Sequence, residues 1–291
     1  VAWAGHVGVY SRFASARATI DRLQELGLYT KKSLGQHFLV DDNVVGRIIR
    51  LADVNPDDTV IEVGPGIGTL TLALAETGAR IVAIEYDSAL TDPLREITDA
   101  SQVEIIQADA ARVFDEAKHL TDRLRGATKL VANLPYQVAA TVVLRFFENL
   151  PHLRSATVMV QREVADRMKA SLGTKDYSGY TVKLRLLAHP VGDFAVSRAS
   201  FLPPPRVEST VIRLDRTEPI PGEVPYEQIR RVIDAAFGMR RKTLRNNLRA
   251  HFDTHAVDGA LAYARIEGQA RAETLTPEDF IRLAHALMTH L

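Results

Sequence analysis

Thr59-Val60-Ile61-Glu62-Val63-Gly64-Pro65-Gly66-Ile67-Gly68 is the stretch from which the fold of this chain can be read. Thr59–Val63 is a short, mostly apolar, β-branched run that reads as a buried strand. Glycines at alternate positions then permit a tight turn and a close approach of backbone to a ligand. The residues that follow open a helix, whose first N–H groups have no partner inside it. The spacing differs from the G-x-G-x-x-G of dinucleotide-binding turns. A proline between the first two glycines suits a nucleoside carrying an amino-acid tail better than a pyrophosphate. A plain structural turn accounts for the same residues, so the surrounding sequence must decide.

Outward from this turn, strand-like runs recur at Thr59–Val63, Arg80–Ile84, Val103–Gln107, Lys129–Ala132 and Ala156–Gln161, separated by helical stretches. That alternation predicts a parallel sheet wound with helices on both faces. A helix is expected near 176–188. Strands at Val191–Val196 and Ser209–Leu214 follow as an antiparallel edge, and Phe201-Leu202-Pro203-Pro204-Pro205-Arg206-Val207 between them is stiff and extended. Upstream, helices are expected at 11–29 and 41–53. A Pro/Gly-rich linker, Pro219–Pro225, marks a boundary. Beyond it, helices are expected at about 226–238, 241–252, 256–263 and 277–289. The predicted organisation is an N-terminal extension (1–30), an α/β domain (31–218) and a small all-helical C-terminal domain (219–291).

Composition narrows the chemistry. The chain has 291 residues and no cysteine, which excludes disulfides, thiolate metal sites and cysteine nucleophiles. No run approaches the ~20 apolar residues of a membrane span, and the start of the chain reads as no signal peptide, so a cytoplasmic location without membrane contact is expected. Lysines plus arginines number 36, equal to aspartates plus glutamates, so net charge offers no general attraction for nucleic acid. Distribution does: Arg240, Arg241, Lys242, Arg245 and Arg249 lie close together with no acid between them. Such a patch suits RNA phosphates, and it equally describes a solvated helix face.

Candidate site residues fall at the ends of the predicted strands. Glu85 ends the second, where an acid accepts from ribose hydroxyls. Asp109 follows the third, placed to accept from an adenine amine. Taken singly, each also reads as a helix cap or turn acid. Together with Gly64 and Gly66 they line the edge at which open α/β sheets bind ligands. Asn133-Leu134-Pro135-Tyr136 follows the fourth strand. It offers an amide oxygen, a stiff turn and a flat aromatic face, which suit a planar base held by its exocyclic amine.

The combination resembles the Rossmann-like class I S-adenosylmethionine-dependent methyltransferases. Four further segments, in order, narrow it: Leu34-Gly35-Gln36-His37-Phe38-Leu39, Asn133–Tyr136, Phe201–Ser209 and Arg240–Leu248. With these the chain resembles the ribosomal RNA adenine N6,N6-dimethyltransferase family, from about Lys31 to the last helix. The resemblance implies S-adenosylmethionine as cofactor. It implies that Gln36, His37 and Leu39 contact that cofactor, that Gly64 and Gly66 hold its methionine part, that Glu85 holds the ribose, and that Asp109 and Ala110 hold the adenine. Asn133 would touch cofactor and target amine, with Leu134 and Tyr136 completing the catalytic group.

The segment Arg240–Leu248 and the helical tail resemble the branch that dimethylates two adjacent adenines near the 3′ end of 16S rRNA. The implied partner is therefore the 30S subunit or its precursor, approached by a monomer. The macrolide-resistance branch, acting on large-subunit RNA, is the alternative. A non-catalytic assembly factor is another, but it predicts loss of the glycine turn, Glu85 or Asn133, and all are present. The chain departs from the family pattern at His37, where many members carry Asn. It departs again at Tyr86, where smaller or aliphatic residues are common, and at Tyr177-Ser178-Gly179-Tyr180.

Overall fold

The structure is a computed structural model that describes residues 10–28, 36–116, 118–218, 224–239 and 241–289. Lys31–Gly35, Arg240 and the Pro219–Glu223 part of the linker lie outside the described residues. Contacts divide the chain into two units. One comprises the chain up to Ala165 together with Pro190–Arg216; the other comprises Asp166–His189 and the chain from Thr217. The expected α/β domain 31–218 is therefore interrupted. Residues 166–189 bury Tyr177, Val182 and Leu186 among the C-terminal helices, and local patterning could not reveal that destination.

Among the described residues there are nine strands: β1 (Phe38–Leu39), β2 (Thr59–Val63), β3 (Arg80–Glu85), β4 (Val103–Gln107), β5 (Lys129–Asn133), β6 (Ser155–Gln161), β7 (Ala188–Val196), β8 (Phe201–Leu202) and β9 (Ser209–Arg216), all in the first unit except the first two residues of β7. Seven of them form one sheet in the order β4-β3-β2-β5-β6-β9-β7. β4, β3, β2, β5 and β6 are parallel, and β9 runs antiparallel to β6. Near-continuous burial of β2, β3, β5 and β6 reflects helices covering both faces, so these strands carry apolar runs without strict alternation.

Strand order reverses between β2 and β5: the chain moves outward through β3 and β4, then returns to the other side of β2. This switch sets the end of β2 beside the end of β5, and a crevice opens at such a point. Gly64 and Asn133 thus become neighbours although distant in sequence. A separate two-stranded sheet, β1 with β8, was not visible in the sequence pattern because each strand is only two residues long. It pairs Phe38 with Leu202 and Leu39 with Phe201, fastening the Gln36–Leu39 segment to the proline-rich one.

Helix Asp42–Ala52 is capped by Asp41, whose carboxylate accepts from the N–H groups of Asn43 and Val44, and it buries Val45, Ile48 and Ile49. Residues 10–28 contain helix Ala16–Glu25. The N–H groups of Tyr10 and Ser11 donate to the Asp42 carboxylate at 3.0 and 2.9 Å, so this part of the expected extension is anchored to the first unit.

In the second unit, helices Gly179–Arg185, Tyr226–Ala236, Leu244–Arg249, Thr254–Ala264 and Pro277–Thr289 surround a core of Ile229, Ile233, Leu248, Val257, Leu261, Phe280 and Leu283. The helix expected at 241–252 is shorter, because the Thr243 hydroxyl accepts from the Asn246 N–H and caps its start.

Candidate active site

The ends of β2, β3 and β5 and the loop after β4 enclose a cavity of about 380 Å³. Among its lining residues are Gln36, His37, Leu39, Gly64, Gly66, Glu85, Asp109, Ala110, Asn133, Leu134 and Tyr136. The topology therefore gathers every residue that the sequence proposed for cofactor and target amine.

The glycine turn is shaped by contacts as well as by φ. Gly64 and Gly66 have φ of +70° and +61°, and a Cβ on Gly66 would lie 3.1 Å from the Phe38 ring. An L side chain there would be strained and would crowd the phenyl ring. Glu85 holds the same turn electrostatically. Its Oε2 accepts from the Gly66 N–H at 3.1 Å and its Oε1 from the Asp87 N–H at 2.8 Å. Burial raises the Glu85 pKa, and the two backbone donors partly offset that rise. Each carboxylate oxygen keeps a further lone pair, so a ribose diol can still be accepted. Asp109 uses Oδ1 to accept from the Ala111 N–H at 2.9 Å, and Gln36 donates from Nε2 to Asp87 at 3.2 Å. Tyr86 lines the cavity and is 64% exposed.

Glu62, which the sequence pattern does not single out as a site residue, also lines the cavity. It is 1% exposed, and its Oε2 has no hydrogen-bond partner. Burial pushes its pKa up to about 8, against the Thr71 hydroxyl, which favours the charged form, and with the Glu85 charge adding to the rise. A buried carboxyl oxygen without a partner in the protein is open to a donor from outside it. A cationic ligand supplies one, and a nucleoside with an amino-acid tail carries an ammonium group. The residues thus fit S-adenosylmethionine: Glu62 and the glycine turn would hold the amino-acid end, Glu85 the ribose and Asp109 the base. Glu62 lay hidden in the sequence because it occupies an interior position of an apolar strand.

On the other side of the cavity, the Asn133 Nδ2 donates to the His37 carbonyl at 3.2 Å. That commits the amide nitrogen to the protein and leaves Oδ1 as the acceptor for a ligand. The Leu134 N–H donates to the Met159 carbonyl at 3.1 Å, which ties the turn after β5 to β6. Tyr136 shares a 2.7 Å hydrogen bond between its hydroxyl and Ser209 Oγ, and burial raises its pKa. In the sequence Ser209 stands out only as part of a family-like segment. Its contact spans 73 residues and leaves no local trace.

The basic segment is different. Arg241 and Lys242 are exposed and precede the helix, so they do not share a helix face with the others. Arg245 and Arg249 both reach Asp258, at 3.3 and 2.5 Å. Asn247, in the same segment, is buried, and its Nδ2 donates to the carbonyls of Ala236 and Met239. Among the described residues, no helix is long and apolar enough to cross a membrane, and no group of histidines and acids could hold a metal ion.

The family described as ribosomal RNA adenine dimethylase matches residues 27–289. A ribosomal RNA small subunit methyltransferase A of Rhodococcus opacus is 44% identical over 272 residues, 90% of each chain. One from Protochlamydia amoebophila is 39% identical over 268 residues, 91% of this chain and 94% of its own. Among solved structures, a dimethyladenosine transferase from Plasmodium falciparum has a TM-score of 0.69 at 22% identity, covering 85% of this chain and 96% of its own. The 23S rRNA methyltransferase ErmE has a TM-score of 0.60 at 28% identity, covering 86% and 99%.

Proposed function

The chain belongs to the ribosomal RNA adenine dimethylase family, and from that premise we propose that it dimethylates N6 of two adjacent adenines near the 3′ end of small-subunit rRNA. It is an enzyme that uses S-adenosylmethionine. The choice of subunit rests on the relatives at 39 and 44% identity, which are named for the small subunit, against 28% for ErmE, named for 23S rRNA. The reading extends to a cytoplasmic monomer that meets the 30S particle or its precursor.

The observation that carries the residue roles is the fixed orientation of Asn133. When bound, S-adenosylmethionine supplies an electrophilic methyl group. The obstacle is the nucleophile, because the N6 lone pair is delocalised into the adenine ring. Asn133 Oδ1 and the Leu134 carbonyl accept the two N6 hydrogens, which favours a pyramidal nitrogen with its lone pair localised. Positive charge grows on N6 as the bond to carbon forms, and the same two oxygens stabilise it. The nitrogen then loses a proton to water, so no separate base is required. Tyr136 stacks on a base that has left its helix, a contact worth ~1–3 kcal/mol. Held between these groups, N6 reacts in an effectively unimolecular geometry.

Incubating the chain with labelled cofactor and either 30S or 50S particles, then mapping the modified base, tests this. Label on adjacent adenines of the small-subunit RNA is expected. Label confined to large-subunit RNA reverses the choice of branch.

A further inference from the structure

His37 departs from the asparagine common in the family, and its side chain lines the cavity while being engaged by two other residues of the first unit. Its ring stacks on Tyr136, with centroids 5.5 Å apart and planes 26° from parallel. Its Nδ1 lies 2.7 Å from the Pro203 carbonyl. A carbonyl only accepts, so Nδ1 carries the proton, and the ring is held by a directed hydrogen bond. The pairing of β1 with β8 continues into this contact: Phe38 faces Leu202, which sets His37 opposite Pro203. The other end of Tyr136 is held as well, through its hydroxyl and the Oγ of Ser209, which is fully buried. The His37 main chain serves the site separately, through the carbonyl that accepts from Asn133.

We infer that His37 and Ser209 are positioning residues that clamp Tyr136 as a fixed platform for the target adenine. The inference rests on the adenine-methylating reading above. The imidazole covers one face of Tyr136, so the flipped base takes the opposite face and completes a three-ring stack. Rotation of the phenol is then blocked at the ring by His37 and at the hydroxyl by Ser209. One clamp is anchored on Pro203 and the other is Ser209 itself, which ties the Phe201–Ser209 region to the geometry of methyl transfer. A rigid platform matters most for the second methylation, where the pocket must realign an already methylated amine. The side chain of His37 therefore serves the base and not the cofactor.

The test compares the full-length chain with its His37→Ala, His37→Phe and Ser209→Ala variants, using 30S particles lacking the modification. Steady-state kcat and KM for particles, cofactor Kd by calorimetry, and melting temperature are measured for each. His37→Ala is expected to lower kcat about tenfold, the size of a lost aromatic pair with its hydrogen bond. KM for particles and cofactor Kd should stay within about twofold. His37→Phe, which keeps a stacking ring, should recover most of kcat, and the ratio of mono- to dimethylated product should rise in Ser209→Ala. A simple packing role would instead lower the melting temperature and leave kcat of the folded fraction unchanged, and that result overturns the platform. So does loss of cofactor affinity in His37→Ala, which would return the ring to the cofactor, or failure of phenylalanine to rescue. A wild-type chain that leaves 30S RNA unlabelled overturns the functional reading and the platform with it. A fully active His37→Ala chain overturns the platform alone.

Discussion

In the cavity of the first unit, several polar groups are tied to backbone: Glu85 to Gly66 and Asp87, Asn133 to His37, Asp109 to Ala111. In the Arg241–Arg249 segment of the second unit, charges answer to a neighbouring acid, or to none. Arg245 and Arg249 share Asp258, while Arg241 and Lys242 stand exposed. These partners are main-chain groups of the turns and loops at the sheet's edge, and they orient the cavity side chains. Surface ion pairs are worth only ~0–1 kcal/mol, so they hold these side chains loosely. The first region is built for alignment, and the second for adjustable attraction.

The sharpest way to break this contrast is at Asn133. Asn133→Ala should lower kcat for rRNA methylation at least about a hundredfold, as expected when a charge-stabilising acceptor is removed, with an unchanged melting temperature. Near-normal turnover would remove Asn133 from the chemistry. Gly66→Ala comes next. It should cost about 1–2 kcal/mol of stability from the left-handed φ alone and weaken cofactor binding, measured by thermal unfolding and calorimetry.

Glu62 gives a pH signature that the surface region should lack. Its folded pKa of about 8 lies above the ordinary carboxylate value. The folded state therefore holds a proton that the unfolded state has released, and stability falls as pH rises from the unfolded pKa through the folded one. Without cofactor, Glu62→Gln should melt progressively higher than the parent as pH is raised from 5 to 8, and it should bind cofactor more weakly. A constant difference in melting temperature across that range would show that Glu62 is ionised throughout. The smallest effects belong to the basic segment. Arg241→Ala and Lys242→Ala should each reduce the salt dependence of RNA binding by about one unit of log–log slope. Arg249→Ala should change it less, because Asp258 already holds that charge. Equal slopes for all three would mean that the ion pair opens on RNA.

The α/β class was legible because burial pattern and glycine conformation are local properties. Thr59–Val63 and Val103–Gln107 form strands with the bounds expected, and the Gly64 turn sits where the pattern required it. β1 and β8 were not legible, since two residues carry no period. Nor was the placing of 166–189 with the C-terminal helices, which depends on which core receives Tyr177 and Leu186. Among the proposed site residues, Glu85, Asp109 and Asn133 stood out because they end or follow predicted strands, whereas Gln36 rested on the family resemblance alone. Glu62 and Ser209 were not found as site residues, because one lies inside a strand and the other acts at long range. The basic segment was legible as charge but not as geometry: Thr243 starts the helix after Arg241 and Lys242, and an acid from the next helix claims Arg245 and Arg249.

Residue type and order were sufficient for the fold class, the family and the list of groups able to bind a methyl donor and an amine. Those depend on periodicity, on glycine's freedom and on which atoms donate or accept. Only the folded chain decided what each group faces. The imidazole of His37 lies on Tyr136 and against Pro203, 166 residues away, and the Asn133 amide is turned by a carbonyl 96 residues away. Such contacts are set by strand order and register, and no property of either residue alone predicts them.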